Sequence, residues 1–308
     1  MRGSIKFHNA LQFEFYLTMS KIFFFNRVYL FAFVAVLFAS VSLEVSATPN
    51  PAPIKFLITF DDGPSGAINR NPTKQVLDVL AKNKIQSGVK VIFFTQTRAD
   101  DEGGTAIGRQ LLLREYSDGH IVAFHTATAH HSNHRFLKPD EFELTLKNGV
   151  ADLSEVSGTP PKLVRPPFWS YDARTLDGYH RHGLQMLLTD LSANDGKTKG
   201  VNWSWHKRSN LLKQLRLTRQ EWTEGRLPIV DGNTPIVVTF HDVNTYTARN
   251  VEVYLQILLD VAHELDMPLS AKPFYDDREQ LERAALARTV NDGSVKQRLP
   301  GLWNWLWN

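Results

Sequence analysis

Short apolar runs separated by amphipathic stretches set the plan of this chain. Runs at residues 56–60, 91–94, 121–124, 162–164, 185–188, 236–240 and 268–270 predict strands. Several are continuously apolar, as expected when both faces of a parallel sheet are covered. The stretches between them carry helical patterning. Residues 71–83 predict a helix with Asn71 as N-cap and Pro72 at the first helical position. Residues 248–265 place Val251, Leu255, Leu258, Ala262 and Leu265 on one helical face. Strand–helix alternation along the chain, with no internal repeat, predicts a parallel α/β barrel or open sheet.

The pattern breaks at the start. Residues 28–43 form an apolar run preceded by Lys21 and Arg27 and followed by Val45-Ser46-Ala47. A basic region, an apolar stretch and a small-residue exit predict a secretory signal peptide over residues 1–47. Counting from Met19 as the true start brings its length into the usual range of ~15–30 residues. The alternative, an uncleaved anchor, is disfavoured because the run falls short of the ~20 residues that span a bilayer. Residues 48–53 (TPNPAP) read as an exposed linker. The remainder is long enough for one large domain with a full core.

Charge and cysteine content narrow the function classes. The chain carries +3 overall, and the leader's Arg2, Lys6, Lys21 and Arg27 against Glu14 and Glu44 account for +2 of it. A mature charge near +1 leaves no electrostatic footprint for nucleic acid. With no cysteine, an exported chain must rely on packing rather than disulfides.

Reactive side chains recur where the apolar runs end. FLITF is followed by Asp61 and Asp62, HIVAF by His125, KLV by Arg165, LQMLL by Asp190 and Asp195, and IVVTF by His241. In a parallel barrel these points share the C-terminal face, where loops converge on one pocket. Asp61 and Asp62, closed by Gly63-Pro64, can point in different directions from a tight turn, one toward a metal and one acting as base. His130, His131 and His134 follow His125 closely. One carboxylate with two imidazoles suits zinc or a similar divalent ion and leaves positions open for water and substrate. At least one histidine of the cluster must be a bystander. Arg165 precedes the rigid Pro166-Pro167, which fixes its direction. His241, if held by a buried acid, makes a proton donor, and either Asp195 or Asp190 is placed to hold it.

These residues carry a family resemblance. TFDDGPS, GHIVAFHT, RPPF, the acids after the fifth strand and IVVTFHD resemble in order the five motifs of NodB-type polysaccharide deacetylases, carbohydrate esterase family four. The resemblance runs over residues 54–269 and implies a distorted (β/α)7 TIM-like barrel of parallel strands. It implies a domain over residues 54–275, with 276–308 as a C-terminal extension. By position it implies Asp61 as general base oriented by Arg165, and His241 as general acid oriented by Asp195. Asp62 and His125 would be metal ligands, and the Phe168 N–H would stabilise the oxyanion. The implied cofactor is a divalent metal, zinc first, with cobalt or nickel as alternatives. The implied activity is hydrolysis of N-acetyl groups on a glycan of amino sugars by a secreted or periplasmic monomer.

The chain departs from the family pattern in places. The second histidine ligand usually lies four residues after the first, where this chain has Ala129. His131 is the preferred third ligand, followed by His130 and then His134. Gly196 follows Asp195 where the family has Trp, and Thr239 replaces an apolar residue two before His241. Competing readings are a carbohydrate-binding relative that has lost catalysis and an amidohydrolase of small cyclic amides. The first would have lost its acid or base, and the leader argues against the second. Trp303, Trp305 and Trp307 alternate at the C-terminus. They predict an aromatic strip that clamps the barrel or, alternatively, binds glycan or a membrane surface, the only membrane contact expected besides the leader.

Overall fold

The structure, a computed structural model, describes residues 51–195 and 207–290. The elements run β1 (Ile54–Asp61), α1 (Pro72–Lys82), β2 (Ile92–Gln96), α2 (Ala106–Ser117), β3 (Ile121–Thr126), α3 (Pro139–Ser157) and β4 (Leu163–Val164). They continue with α4 (Ala173–Arg181), β5 (Gln185–Met186), β6 (Leu191–Ser192), α5 (Lys207–Thr223), β7 (Thr234–His241), α6 (Thr245–Glu264), β8 (Leu269–Phe274) and α7 (Arg278–Ala287). The strands are hydrogen-bonded in the order β5-β4-β3-β2-β1-β7-β6, with β8 also paired to β1, and every pairing is parallel. Of the two arrangements that the alternation allows, the fold is the α/β barrel, distorted as the family resemblance implies.

Barrel closure differs from the sequence expectation. The predicted strand 185–188 is two short pieces in one extended segment that changes partner. Leu187 N–H donates to Val164 O at 2.9 Å, whereas Asp190 N–H donates to Val237 O at 3.0 Å and Ala193 N–H to Thr239 O at 3.0 Å. A segment that leaves β4 and joins β7 within three residues links the two edges of the sheet, which hydrophobicity alone cannot reveal.

Local chemistry explains the helices. Asn71 caps α1, accepting the Lys74 N–H at 3.0 Å. Helix α6 begins at Thr245, three residues before the periodicity suggests, because Asn244 caps it by accepting from Tyr246 and Thr247 N–H. Val251, Leu255, Leu258 and Ala262 on its inner face are buried as expected. Gly149 on α3 lets that helix approach β3, since a Cβ there would lie 2.0 Å from the Phe124 ring.

The strands alternate between two environments. Phe56, Ile58 and Phe60 pack outward with α1 and α6 residues such as Val76 and Leu255. Leu57, Ile92, Phe94, Ala123 and Val237 form an inner cluster with Leu281, Ala284 and Ala285 of α7. Helix α7, which falls in the segment expected to be a C-terminal extension, thus packs against the barrel strands. Following the two-residue period upward from that cluster, the inner face turns polar: Leu57, Thr59, Asp61 on β1; Ala123, His125 on β3; Val237, Thr239, His241 on β7. The apolar end closes the barrel and the polar end builds the site. Residues 1–50, 196–206 and 291–308, which hold the expected leader, Gly196 and the tryptophan strip, lie outside the described residues. Among the described residues no helix is long and apolar enough to cross a membrane.

Candidate active site and metal centre

Asp61 is the last residue of β1 and Asp62 leaves the strand with φ 75°. A left-handed conformation costs a non-glycine residue about 1–2 kcal/mol. Here it turns two neighbouring carboxylates apart. The turn is tied down by Gln96, whose N–H donates to Gly63 O at 2.8 Å and whose Nε2 donates to Asp62 O at 3.0 Å. Gly63 permits this path, because a Cβ there would meet the Asp242 carboxylate at 2.0 Å. Asp242 is thereby turned away from the cleft, fully buried against Thr73, and burial pushes its pKa up to about 7.

Asp62 meets two imidazoles. Its Oδ1 lies 3.1 Å from His125 Nε2 and 3.5 Å from His131 Nε2, and the two Nε2 atoms are 3.1 Å apart. His125 Nδ1 lies 2.7 Å from the Arg165 carbonyl. A carbonyl only accepts, so the proton of the neutral ring sits on Nδ1 and Nε2 presents a lone pair. Burial, reinforced by the other histidines and only partly offset by Asp62, pushes His131 down to about 4, so its ring is neutral near pH 7. Asp62 Oδ1 is buried without a hydrogen bond. Burial opposes its charge, yet the imidazole of His125 beside it, and then those of His241 and His131, hold its pKa below the usual carboxylate range.

Electron-pair donors thus converge where a cation would relieve their repulsion. Ligand atoms ~2.0–2.2 Å from one zinc ion lie about 3.0–3.5 Å apart at octahedral or tetrahedral angles, and the triangle has those sides. Among the described residues, Asp62, His125 and His131 are the one group of this kind. The residues present fit a divalent metal.

The other histidines stand apart. His130 lines the cleft rim but is outside the triangle, so its place in the expected ligand set is not supported by position. His134 is fully buried, with Nδ1 2.9 Å from the Tyr179 hydroxyl and Nε2 3.2 Å from Thr126 Oγ1. His120 accepts the Val91 N–H on Nδ1 at 3.2 Å. Burial first, then nearby positive charge, pushes His120 and His134 down to about 3. Between about 3 and the unfolded value of 6.5, the unfolded chain binds protons that the native chain refuses. Their contribution to stability is therefore complete above pH 6.5 and lost as pH falls through that window. His120→Gln and His134→Gln are each expected to flatten the dependence of unfolding free energy on pH by about 1.4 kcal/mol per pH unit. Urea melts at several pH values between about 4 and 6 measure this, and an unchanged slope in both variants contradicts it.

Asp61 and Arg165 form a buried pair beneath the cleft. Arg165 Nη1 donates to Asp61 Oδ1 at 2.7 Å and to Thr59 Oγ1 at 2.6 Å, while Nε and Nη2 donate to the Leu187 and Leu188 carbonyls at 3.0 and 3.2 Å. The guanidinium is fully buried and lies over the Phe94 ring, 4.2 Å from its centroid. Thr239 donates to, or accepts from, Thr59 Oγ1 at 3.1 Å, so the residue that departs from the family pattern extends this network inside the barrel.

His241 and Asp195 form the second pair. Asp195 Oδ1 lies 2.7 Å from His241 Nδ1, and Oδ2 accepts the His241 N–H at 2.9 Å. Thr247 donates to the same carboxylate and Asn244 Nδ2 to the Asp195 carbonyl. Burial would depress the imidazole, but Asp195 and the charges of Asp62 and Asp61 override it and push His241 up to about 10. Its Nε2 faces Asp62 Oδ2 at 3.8 Å. Asp190 is not part of this pair; it accepts the Val237 N–H at 2.8 Å and bonds Arg288. Asp62, His131, His241 and Asp195 line one cleft of ≈ 180 Å³.

Sequence reasoning missed Thr59, Thr247 and Trp169 as parts of this site. Thr59 sits two residues before Asp61 on the inner face, a signal available from strand period alone. Asn244 three residues before Thr247 marks a helix start that the apolar periodicity overran. Nothing local distinguishes Trp169.

Fold and site together define a parallel α/β barrel with a candidate metal centre and two acid-anchored side chains at the C-terminal ends of its strands. Part of the chain is similar to the NodB-type polysaccharide deacetylases. Residues 49–187 match the model of the polysaccharide deacetylase family. A chitin deacetylase from Pestalotiopsis sp is 27% identical over 168 residues, which are 53% of this chain and 52% of that enzyme, so the match spans about half its length. A peptidoglycan-N-acetylglucosamine deacetylase from Bacillus cereus is 22% identical over 211 residues, 68% of this chain and 67% of that one. The solved chitin deacetylase of the fungal pathogen Colletotrichum lindemuthianum superposes with a TM-score of 0.52 at 21% identity, covering 74% of this chain and 90% of that chain. That likeness shows the fold.

Proposed function

We propose that this chain is an exported, metal-dependent hydrolase that removes N-acetyl groups from a polysaccharide or oligosaccharide of amino sugars, releasing acetate. The observation that carries the reading is the convergence of Asp62, His125 and His131 beside the Asp61–Arg165 and His241–Asp195 pairs. The names of the chitin and peptidoglycan relatives support an amino-sugar glycan.

Asp62, His125 and His131 would hold the ion, and their mixed oxygen and nitrogen set suits zinc, with cobalt or nickel as alternatives. When bound, such an ion polarises the acetamide carbonyl and can lower the pKa of water from ~15.7 towards ~7. Asp61, held by the Arg165 hydrogen bond, accepts the proton of the attacking water. His241 carries a proton on Nε2 toward the cleft, while Asp195 fixes its Nδ1; it protonates the leaving nitrogen. The Phe168 backbone N–H, on the loop that Arg165 begins, is assigned to the developing oxyanion.

Asp61→Asn and His241→Ala are each expected to keep the metal and lose about 10²–10⁴-fold in kcat, the usual contribution of general acid–base catalysis. Acetate release from N-acetylglucosamine oligomers and from peptidoglycan, paired with metal analysis, measures both. Near-normal turnover by Asp61→Asn removes Asp61 as the base. Export through residues 1–47 predicts a mature protein beginning at Thr48. N-terminal sequencing of the protein outside the cell checks this, and an intact apolar run there replaces export in soluble form with anchoring.

A further inference from the structure

The turn Pro167–Trp169 contains two consecutive non-glycine residues with left-handed backbones, Phe168 at φ 58° and Trp169 at φ 53°. Each such residue costs about 1–2 kcal/mol, and such conformations persist where the surroundings hold them. The two side chains go to different parts of the site. The Phe168 ring, 56% exposed, stacks on His131 with centroids 4.4 Å apart and planes at 22°. Trp169 turns the other way. Its indole Nε1–H donates to Asp61 Oδ2 at 3.4 Å.

Asp61 has two carboxylate oxygens to be accounted for. Oδ1 is taken by Arg165, and Arg165 has no further N–H directed at Oδ2. Held at one oxygen only, a carboxylate keeps freedom to rotate about its Cβ–Cγ bond, where torsional wells are broad. The Trp169 contact is the second point that sets the plane, and Trp169 lies four residues along the same loop as Arg165. The indole is also a donor without acceptor capacity, so it cannot take a proton from Asp61 or compete for the one that Asp61 receives. The contact is long, which leaves the remaining lone pair of Oδ2 available.

The geometry points to Trp169 as a positioning residue for the base: its indole N–H fixes the second oxygen of Asp61, and the paired left-handed backbone exists to deliver it while Phe168 braces His131. This rests on Asp61 being the base. It extends that reading to a residue that neither the family resemblance nor the sequence pattern singles out.

The test is a double-mutant cycle on the full-length, zinc-loaded protein, with N-acetylglucosamine oligomers as substrate. Trp169→Phe keeps an aromatic ring and removes the donor. It is expected to lower kcat about 5- to 10-fold, the scale of one ordinary hydrogen bond, as suits so long a contact, with KM and bound zinc unchanged. In the Asp61→Asn background the same substitution is expected to change kcat by less than about twofold, because the group it positions no longer acts as base. Replacing Trp169 by benzothienylalanine, which exchanges the indole N–H for sulfur in the same shape, should reproduce the Trp169→Phe loss if repacking is not the cause. An equal loss in both backgrounds, a loss carried by KM or zinc content, or full activity with benzothienylalanine overturns the proposal. Near-normal turnover of Asp61→Asn alone would instead remove the base assignment, so the two failures are distinguishable.

Discussion

Asp62→Asn and His125→Gln are each expected to give folded protein that binds less than about a tenth of the zinc held by the unmodified chain and releases no measurable acetate. Both substitutions roughly preserve side-chain volume, so the barrel survives; what they do is put a weak neutral amide in place of one donor of a three-atom triangle with sides of 3.1, 3.1 and 3.5 Å. Asp62→Asn also removes the only carboxylate of the set, the member that offsets the ion's charge. His125 is oriented by the 2.7 Å contact of Nδ1 with the Arg165 carbonyl, the kind of outer partner that fixes a ligand's tautomer and is itself worth 10–100-fold in affinity in metal sites. A chelator is expected to abolish acetate release and added zinc or cobalt to restore it. His130→Ala and His134→Gln are expected to retain the metal, His130 because it lies outside the triangle and His134 because both its ring nitrogens already have partners. Elemental analysis of the purified variants decides the matter. Full zinc content in Asp62→Asn, or full activity in metal-free protein, ends the metal reading.

Arg165→Ala is expected to cost about 3–5 kcal/mol of folding stability, the penalty for leaving one partner of a buried pair uncompensated, and to abolish turnover as well. The family resemblance alone suggests a milder loss, since an orienting residue exchanges no proton. Complete burial changes that expectation. The guanidinium is the counter-charge of an Asp61 that is itself 1% exposed, and it also donates to the Leu187 and Leu188 carbonyls. Those carbonyls lie where the chain passes from β5 to β6, so Arg165 also ties down the segment that closes the barrel. For a domain of this size, 3–5 kcal/mol corresponds to roughly 6–20 °C in Tm. Arg165→Lys keeps the charge but not the fork and should lose activity together with part of the stability. Replacing Asp61 by Ala in the Arg165→Ala background should return part of the lost stability, because no buried charge is then left alone. Denaturant unfolding measures each step, and a cost below about 1 kcal/mol for Arg165→Ala contradicts the buried-pair account.

Much of this site is written locally in the chain. Asp61, His125, Arg165 and His241 stand out because parallel strands buried on both faces appear as continuous apolar runs, and polar residues follow directly after them. Asn71 and Pro72 announce α1 for the same local reason, through a cap and a first-turn proline. The separation of Asp61 from Asp62 was also foreseeable from the tight turn of Asp-Asp-Gly-Pro.

Other features required the three-dimensional arrangement. His130, His131 and His134 are equivalent in composition and nearly so in spacing, and only the path of the loop after β3 brings the His131 ring to Asp62 while burying His134 against Tyr179. Asp190 and Asp195 follow the same apolar run, and the partner change between β5 and β6 decides which of them meets His241. Helix α7 looks like a peripheral extension until its leucine and alanines are seen packed against Leu57 and Val237 inside the barrel. Strand identity and the positions of reactive residues arise from interactions over a few residues, which periodicity and capping record. Barrel closure, the choice among neighbouring histidines and the reach of Trp169 to Asp61 depend on contacts between segments up to about a hundred residues apart. No local pattern carries them, because each is decided by which distant backbone happens to occupy the adjoining space.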